Sequence, residues 1–128
     1  MPPSFTHLSI TPDPLSPPKL PHNTAWGSQL TFAGIVRGHE NGTPIKGINY
    51  HVYLSLAKAT IDKIAENGRA KFEPHGLWIE HRFNFVPAGE PSLYIAIGTP
   101  HSKEGNDILT WYLQTVKSTL PVWKEIVP

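Results

Sequence analysis

The chain has 128 residues, no cysteine, and 11 Lys plus Arg against 10 Asp plus Glu, for a formal net charge of +1. That length suits one domain with one core, and 39% hydrophobic with 16% charged residues is the balance of a folded chain. Disulfides, thiolate metal sites and a cysteine nucleophile are excluded, and the near-neutral charge supplies no global field for nucleic acid or an anionic membrane. Any anion site must therefore be local.

Residues 1–24 form a proline-rich arm with Pro2, Pro3, Pro12, Pro14, Pro17, Pro18 and Pro21. Proline fixes φ and removes a donor, which forbids a long helix there. Within the arm, Phe5 to Ile10 alternates and predicts one short strand. Residues 25–128 form the domain proper. Gly27 to Arg37 reads as a strand, Gly38 to Gly42 as a turn cluster, and Ile45 to Tyr53 as a strand with Ile48, Tyr50 and Val52 on one face. Leu54 to Phe72 is the clearest helix, with a stripe through Leu56, Ala59/Thr60, Lys63/Ile64 and Ala70, and Pro74 and Gly76 close it. Leu77 to Phe85 predicts a third strand, Pro87 to Glu90 a turn, and Leu93 to Thr99 a buried strand. Asn106 to Leu120 predicts a second helix, with Ile108, Leu109, Tyr112, Leu113 and Val116 facing the core and Pro121 ending it or starting a turn. The order β-β-α-β-β-α implies a single-domain α+β fold with a mainly antiparallel sheet and two main helices. The apolar runs are too short to span a bilayer. No basic-then-apolar leader opens the chain, so a cytoplasmic protein is expected.

Several side chains have the chemistry for a site. Lys117 and Lys124 flank Ser118-Thr119-Leu120-Pro121-Val122-Trp123. A continuous helix would hold the two roughly 10 Å apart on one side, and a break at Pro121 would bring them closer. Neighbouring ammonium groups lower each other's pKa and attract anions, and a lysine so tuned serves as nucleophile or base. Helix-end lysines also simply answer the helix dipole. Arg37 at a strand end offers a phosphate fork, while His101, Ser102 and Lys103 follow a buried strand where a helix N-terminus favours an anion. His81-Arg82 reads as a partly buried structural pair. The seven histidines are scattered without HxH or HxxxH spacing, so no metal site is expected. Gly34-Ile35-Val36-Arg37-Gly38 is neither a P-loop nor a dinucleotide fingerprint.

In combination these residues resemble a known family. Phe32-Ala33-Gly34-Ile35-Val36-Arg37 resembles the F-x-G-x-V-R stretch of the molybdopterin synthase large (catalytic) subunit, the MoaE family. Tyr53-Leu54-Ser55-Leu56 matches its tyrosine-x-x-methionine helix start. His81-Arg82 with Gly89-Glu90 resembles its H-R-x-G…G-[DE] hairpin, and Pro100-His101 its motif ending in His-Arg. Lys117, Pro121, Trp123, Lys124 and Glu125 resemble its L-K-x-x-x-P-x-W-K-[KRE] signature, the most specific element. The likeness covers roughly residues 27–126, without a gap from His81 to Glu125.

The resemblance implies an alpha/beta-hammerhead type of fold, two catalytic lysines at Lys117 and Lys124, and a substrate pocket drawing on Ile35, Val36, Arg37, His101, Ser102, Lys103, Glu125 and Ile126. It implies a homodimer in which each large subunit binds a small, ubiquitin-like, MoaD-like sulfur carrier, giving a heterotetramer. The implied reaction is sulfur transfer from the carrier's C-terminal thiocarboxylate to cyclic pyranopterin monophosphate, forming molybdopterin, with no cofactor, metal, nucleic acid or membrane. Departures from the pattern are Ser102 where the family has arginine, Asn84 where its hairpin has glycine, and His51 where it commonly has glutamate. The proline-rich arm replaces a short helix, and the C-terminal tail of many relatives, with its arginine, has no counterpart up to Pro128. These departures motivate an alternative, a non-catalytic relative that binds a ubiquitin-like tail or an anionic ligand. A third reading is an unrelated α+β binding module.

Overall fold

The computed structural model describes residues 4–128, so Pro2 and Pro3 of the arm lie outside the described residues. In chain order the elements are β1 (Phe5–Thr11), β2 (Ser28–Ile35), β3 (His39–Glu40), β4 (Thr43–Pro44), β5 (Gly47–Val52), α1 (Leu54–Lys71), β6 (Gly76–Arg82), β7 (Asn84–Pro87), β8 (Pro91–Thr99), α2 (Ser102–Thr119) and β9 (Val122–Val127). A four-stranded sheet has the order β1-β6-β8-β2 and a three-stranded sheet the order β7-β5-β9, with β3 and β4 forming a small separate hairpin. The pairings are antiparallel except β1 with β6, which is parallel. This is the α+β fold with two helices that the alternation and periodicity predict.

Strands β6 and β8 alternate so that Leu77, Ile79, Ile95 and Ile97 form one buried row, and Ile61 and Ile64 of α1 with Ile108, Tyr112 and Val116 of α2 cover it. Each such side chain contributes roughly 1.5–3 kcal/mol by leaving water. The opposite face of the sheet is covered from the N-terminal side, where Leu20 and Trp26 pack on Ala96 with Phe5, Ala25 and Trp78 around them. Trp26 needs glycine beneath it. A Cβ on Gly76 or on Gly98, which are register partners, would come within 2.7 and 2.8 Å of its ring.

Four local expectations are corrected. The buried stripe of α1 is Ala57, Ile61, Ile64, Ala65 and Gly68, whereas Leu56 is 57% exposed. The helices approach so closely that a Cβ on Gly68 would collide with the Tyr112 hydroxyl and ring, so small residues rather than bulky ones face α2. The single strand expected over Leu77–Phe85 is two strands in different sheets. The chain turns at Asn84, whose φ of 68° is a left-handed value that Asn tolerates. Helix α2 starts at Ser102 rather than Asn106, taking Glu104 into its first turn. Beyond Pro121 lies β9, a strand absent from the expected order. It forms because β5 has a free edge to pair with, in the register Tyr50↔Lys124 and Val52↔Val122. Among the described residues no helix is long and apolar enough to cross a membrane.

Candidate functional site

The two lysines reach one cavity from different elements. Lys117 sits in the last turn of α2. Leu120 ends the helix with its N–H on the Val116 carbonyl, and Pro121 redirects the chain while its carbonyl accepts the Tyr53 N–H at 3.3 Å. The reversal into β9 then carries Lys124 back toward Lys117. Both line a cavity of about 520 Å³ together with Phe32, Gly34, Ile35, Tyr50, His81, Ser92 and Val122. Such a volume suits a small organic molecule. The break at Pro121 therefore does what the spacing suggested, since a continuous helix could not have built this enclosure.

Strand alternation decides which neighbours share the cavity. Val122 and Lys124 of β9 face it. Trp123 and Glu125 face the other way, where Trp123 stacks near His51 and Tyr53 with ring centroids 5.6 and 5.4 Å apart. Glu125 accepts a hydrogen bond from His51 Nε2 at 3.0 Å. The Lys117 ammonium lies 5.6 Å from the Phe32 ring centroid, a cation–π contact that orients it along β2. Among the described residues no carboxylate lines the cavity, so none of them neutralises the two ammonium groups there, and an anionic guest is favoured.

The remaining expected site residues separate. Ile35 lines the cavity. Val36 does not: its side chain is buried in a second small core with Ile48, Tyr50 and Val86. Arg37 points to solvent with its side chain 79% exposed, 3.5 Å from Glu40. Glu125 and Ile126 are exposed on β9 outside the cavity. His101, Ser102 and Lys103 lie at the start of α2, where His101 borders a different cavity of about 290 Å³ with Lys71, Glu73, Glu104 and Asp107. Sixteen residues of helix separate His101 from Lys117, about 24 Å at 1.5 Å per residue. Within one chain, then, Lys117 and Lys124 share a cavity, while Arg37 and His101 stand apart from it.

Three residues of the cavity escaped the sequence reading. Tyr50 donates its hydroxyl to Ser92 Oγ at 3.2 Å, and Ser92 Oγ lies 3.4 Å from the Gly34 carbonyl. His81 continues the inward row of Leu77 and Ile79 and ends it at the cavity. Its neighbour Arg82 turns to the other face and pairs with Glu90 at 2.9 Å. Burial pushes the His81 pKa down, the Arg82 carbonyl opposes this, and the Lys124 charge adds to the depression. Period-two alternation identifies His81 as inward, but alternation does not distinguish a core histidine from one that meets a cavity.

The family model described as MoaE protein matches residues 10–119. The chain belongs to the MoaE family. The matched span includes Lys117, and Lys124 lies just beyond it. Among curated MoaE relatives, the molybdopterin synthase catalytic subunit of Emericella nidulans is 34% identical over 121 residues, covering 92% of this chain. The chain spans 62% of that relative's length. Of solved structures, the molybdopterin synthase from Staphylococcus aureus superposes with a TM-score of 0.77 at 23% identity, over 83% of this chain and 77% of that one. The complex of subunits 1 and 2 of the molybdopterin-converting factor from Helicobacter pylori gives a TM-score of 0.67 at 22% identity, over 80% and 66% of the two chains. At those identities the structures bear on the fold alone, and they share the MoaE arrangement of two helices on a mostly antiparallel sheet.

Proposed function

We propose that the chain is the catalytic subunit of a molybdopterin synthase. It takes sulfur from the thiocarboxylated C-terminus of a small ubiquitin-like carrier and delivers it to cyclic pyranopterin monophosphate. The observation that supports this most is the convergence of Lys117 and Lys124 on one cavity free of carboxylates. The cyclic phosphate and the carrier's tail are both anionic, and two ammonium groups answer both charges. A lysine there assists attack and departure by proton transfer or transient covalent capture. The name of the Helicobacter pylori relative, a complex of two subunits, fits a small-subunit partner.

A homodimer belongs to the same reading. His101, Ser102 and Lys103 stand about 24 Å from Lys117 along α2, so they serve the same small substrate only if a second copy presents them. A cytosolic location belongs to this reading as well.

A second reading, a relative that binds a ubiquitin-like tail or an anion without turnover, is favoured by Ser102 and by Arg37 lying outside the cavity. Mixing the protein with thiocarboxylated carrier and the cyclic precursor separates the two. Dithiolene product supports the synthase. Stable carrier binding with no product at any ratio supports the binder.

A further inference from the structure

His81 has a tautomer that the structure determines. Its Nδ1 lies 2.8 Å from the carbonyl oxygen of Arg82, which can only accept, so Nδ1 bears the proton. Nε2 is then a lone pair. It has no hydrogen-bond partner among the described residues, and the imidazole that carries it lines the cavity. The ring is only 8% exposed, and Tyr50 meets it edge-on at 5.4 Å and 75°. Around it stand Lys117 from α2, Lys124 from β9, Tyr50 from β5 and Ser92 from β8. Ammonium groups only donate. The Tyr50 proton is already given to Ser92. In a lining without carboxylates, Nε2 of His81 is the basic lone pair.

We propose that His81 is a catalytic base of this cavity, taking a proton from the water that releases the carrier after sulfur has been delivered. The proposal rests on the synthase reading above. A thiocarboxylate sulfur that bonds to the pterin leaves the carrier attached as an acyl thioester, and the sulfur is free only when the acyl–sulfur bond breaks. Water supplies the oxygen: its new bond forms to the acyl carbon while one water proton moves to His81 Nε2. The carbon–sulfur bond breaks, and its electron pair stays on the pterin sulfur as a thiolate held by the Lys117 and Lys124 ammonium groups. The carrier departs as a carboxylic acid that ionises to solvent, and the imidazolium returns its proton to bulk water. No oxidant or reductant is required. The design is consistent electrostatically. Burial and the Lys124 charge keep the imidazole neutral, and hence basic, at neutral pH.

The test uses the complete complex with thiocarboxylated carrier and cyclic pyranopterin monophosphate. His81→Asn preserves a donor for the Arg82 carbonyl and removes the Nε2 lone pair. Its single-turnover rate is expected to fall about 10²–10⁴-fold, with the carrier–substrate thioester accumulating by mass spectrometry, carrier binding unchanged, and partial rescue by added imidazole. On the unaltered protein, the acidic limb of the rate profile is expected to coincide with the titration of His81 followed by ¹⁵N NMR. A His81→Asn rate within about threefold of wild type overturns the proposal, and so does an acidic limb that does not track the His81 titration. If the unaltered complex makes no product, the synthase reading falls and takes this step with it. Product from wild type with an undiminished variant removes this step alone.

Discussion

Tyr112→Phe removes one oxygen from the place where the two helices meet. Tyr112 and His75 are both fully buried, and the hydroxyl lies 2.8 Å from His75 Nε2. His75 Nδ1 lies 2.7 Å from the Glu73 carbonyl and so bears its proton, which makes Nε2 the acceptor and the Tyr112 hydroxyl the donor. Phenylalanine preserves the ring packing but strands a buried acceptor, a cost of about 1–3 kcal/mol. For a chain of this size that lowers Tm by roughly 4–12 °C. The substitution also changes the alkaline behaviour. Burial pushes the Tyr112 pKa up to about 12, against the opposing pull of Arg69. A raised pKa stabilises the fold below the unfolded value of about 10, and that stability is lost as pH rises from 10 through 12. Wild type should therefore lose up to on the order of 2 kcal/mol over that range through this group, and Tyr112→Phe should lack that component. Urea denaturation at pH 7 and across pH 9–12 measures both. A loss under about 0.5 kcal/mol at pH 7, or an unchanged alkaline slope, would refute the assignment of Tyr112 as donor to a buried neutral histidine.

Gly68→Ala puts a methyl group into the Tyr112 hydroxyl and ring. It should cost about 1–3 kcal/mol or more as the helices separate, read as a fall in the urea midpoint; a neutral effect would mean that α1 and α2 are not in that contact. Both His75 and His81 have pKa values lowered chiefly by burial. Above about pH 6.5 neither contributes any pH dependence. As pH falls below that value the unfolded chain binds protons the folded one refuses, so stability should decline, and a flat Tm from pH 7 to 5 would contradict it.

The sequence and the structure agree best where one period dominates. Strands β2 and β8 and helix α2 follow from alternation and helical spacing, whereas the turn at Asn84, with its positive φ, fell inside the strand expected over Leu77–Phe85. The face of α1 was misplaced by one residue because Leu56 is bulkier than Ala57, and only the close approach of Tyr112 makes smallness the criterion. Strand β9 has Trp123, Lys124 and Glu125 at its centre, which no hydrophobic pattern marks; the free edge of β5 creates it. The lysine pair was legible through the motif around Pro121. The partition of the other candidates was not, because the distance from His101 to Lys117 is set by the length of α2 rather than by any local signal.

The central claim is that the cavity shared by Lys117 and Lys124 is where sulfur changes hands. Its most direct measurement is dithiolene formation by complexes reconstituted with thiocarboxylated carrier and cyclic pyranopterin monophosphate, comparing wild type with Lys117→Ala and Lys124→Ala. Circular dichroism confirms that each variant is folded. Product from wild type and a loss of at least about 10²-fold in each folded variant is the predicted result. Product formation that survives both substitutions, or a wild-type complex that binds carrier and yields none, would contradict the account.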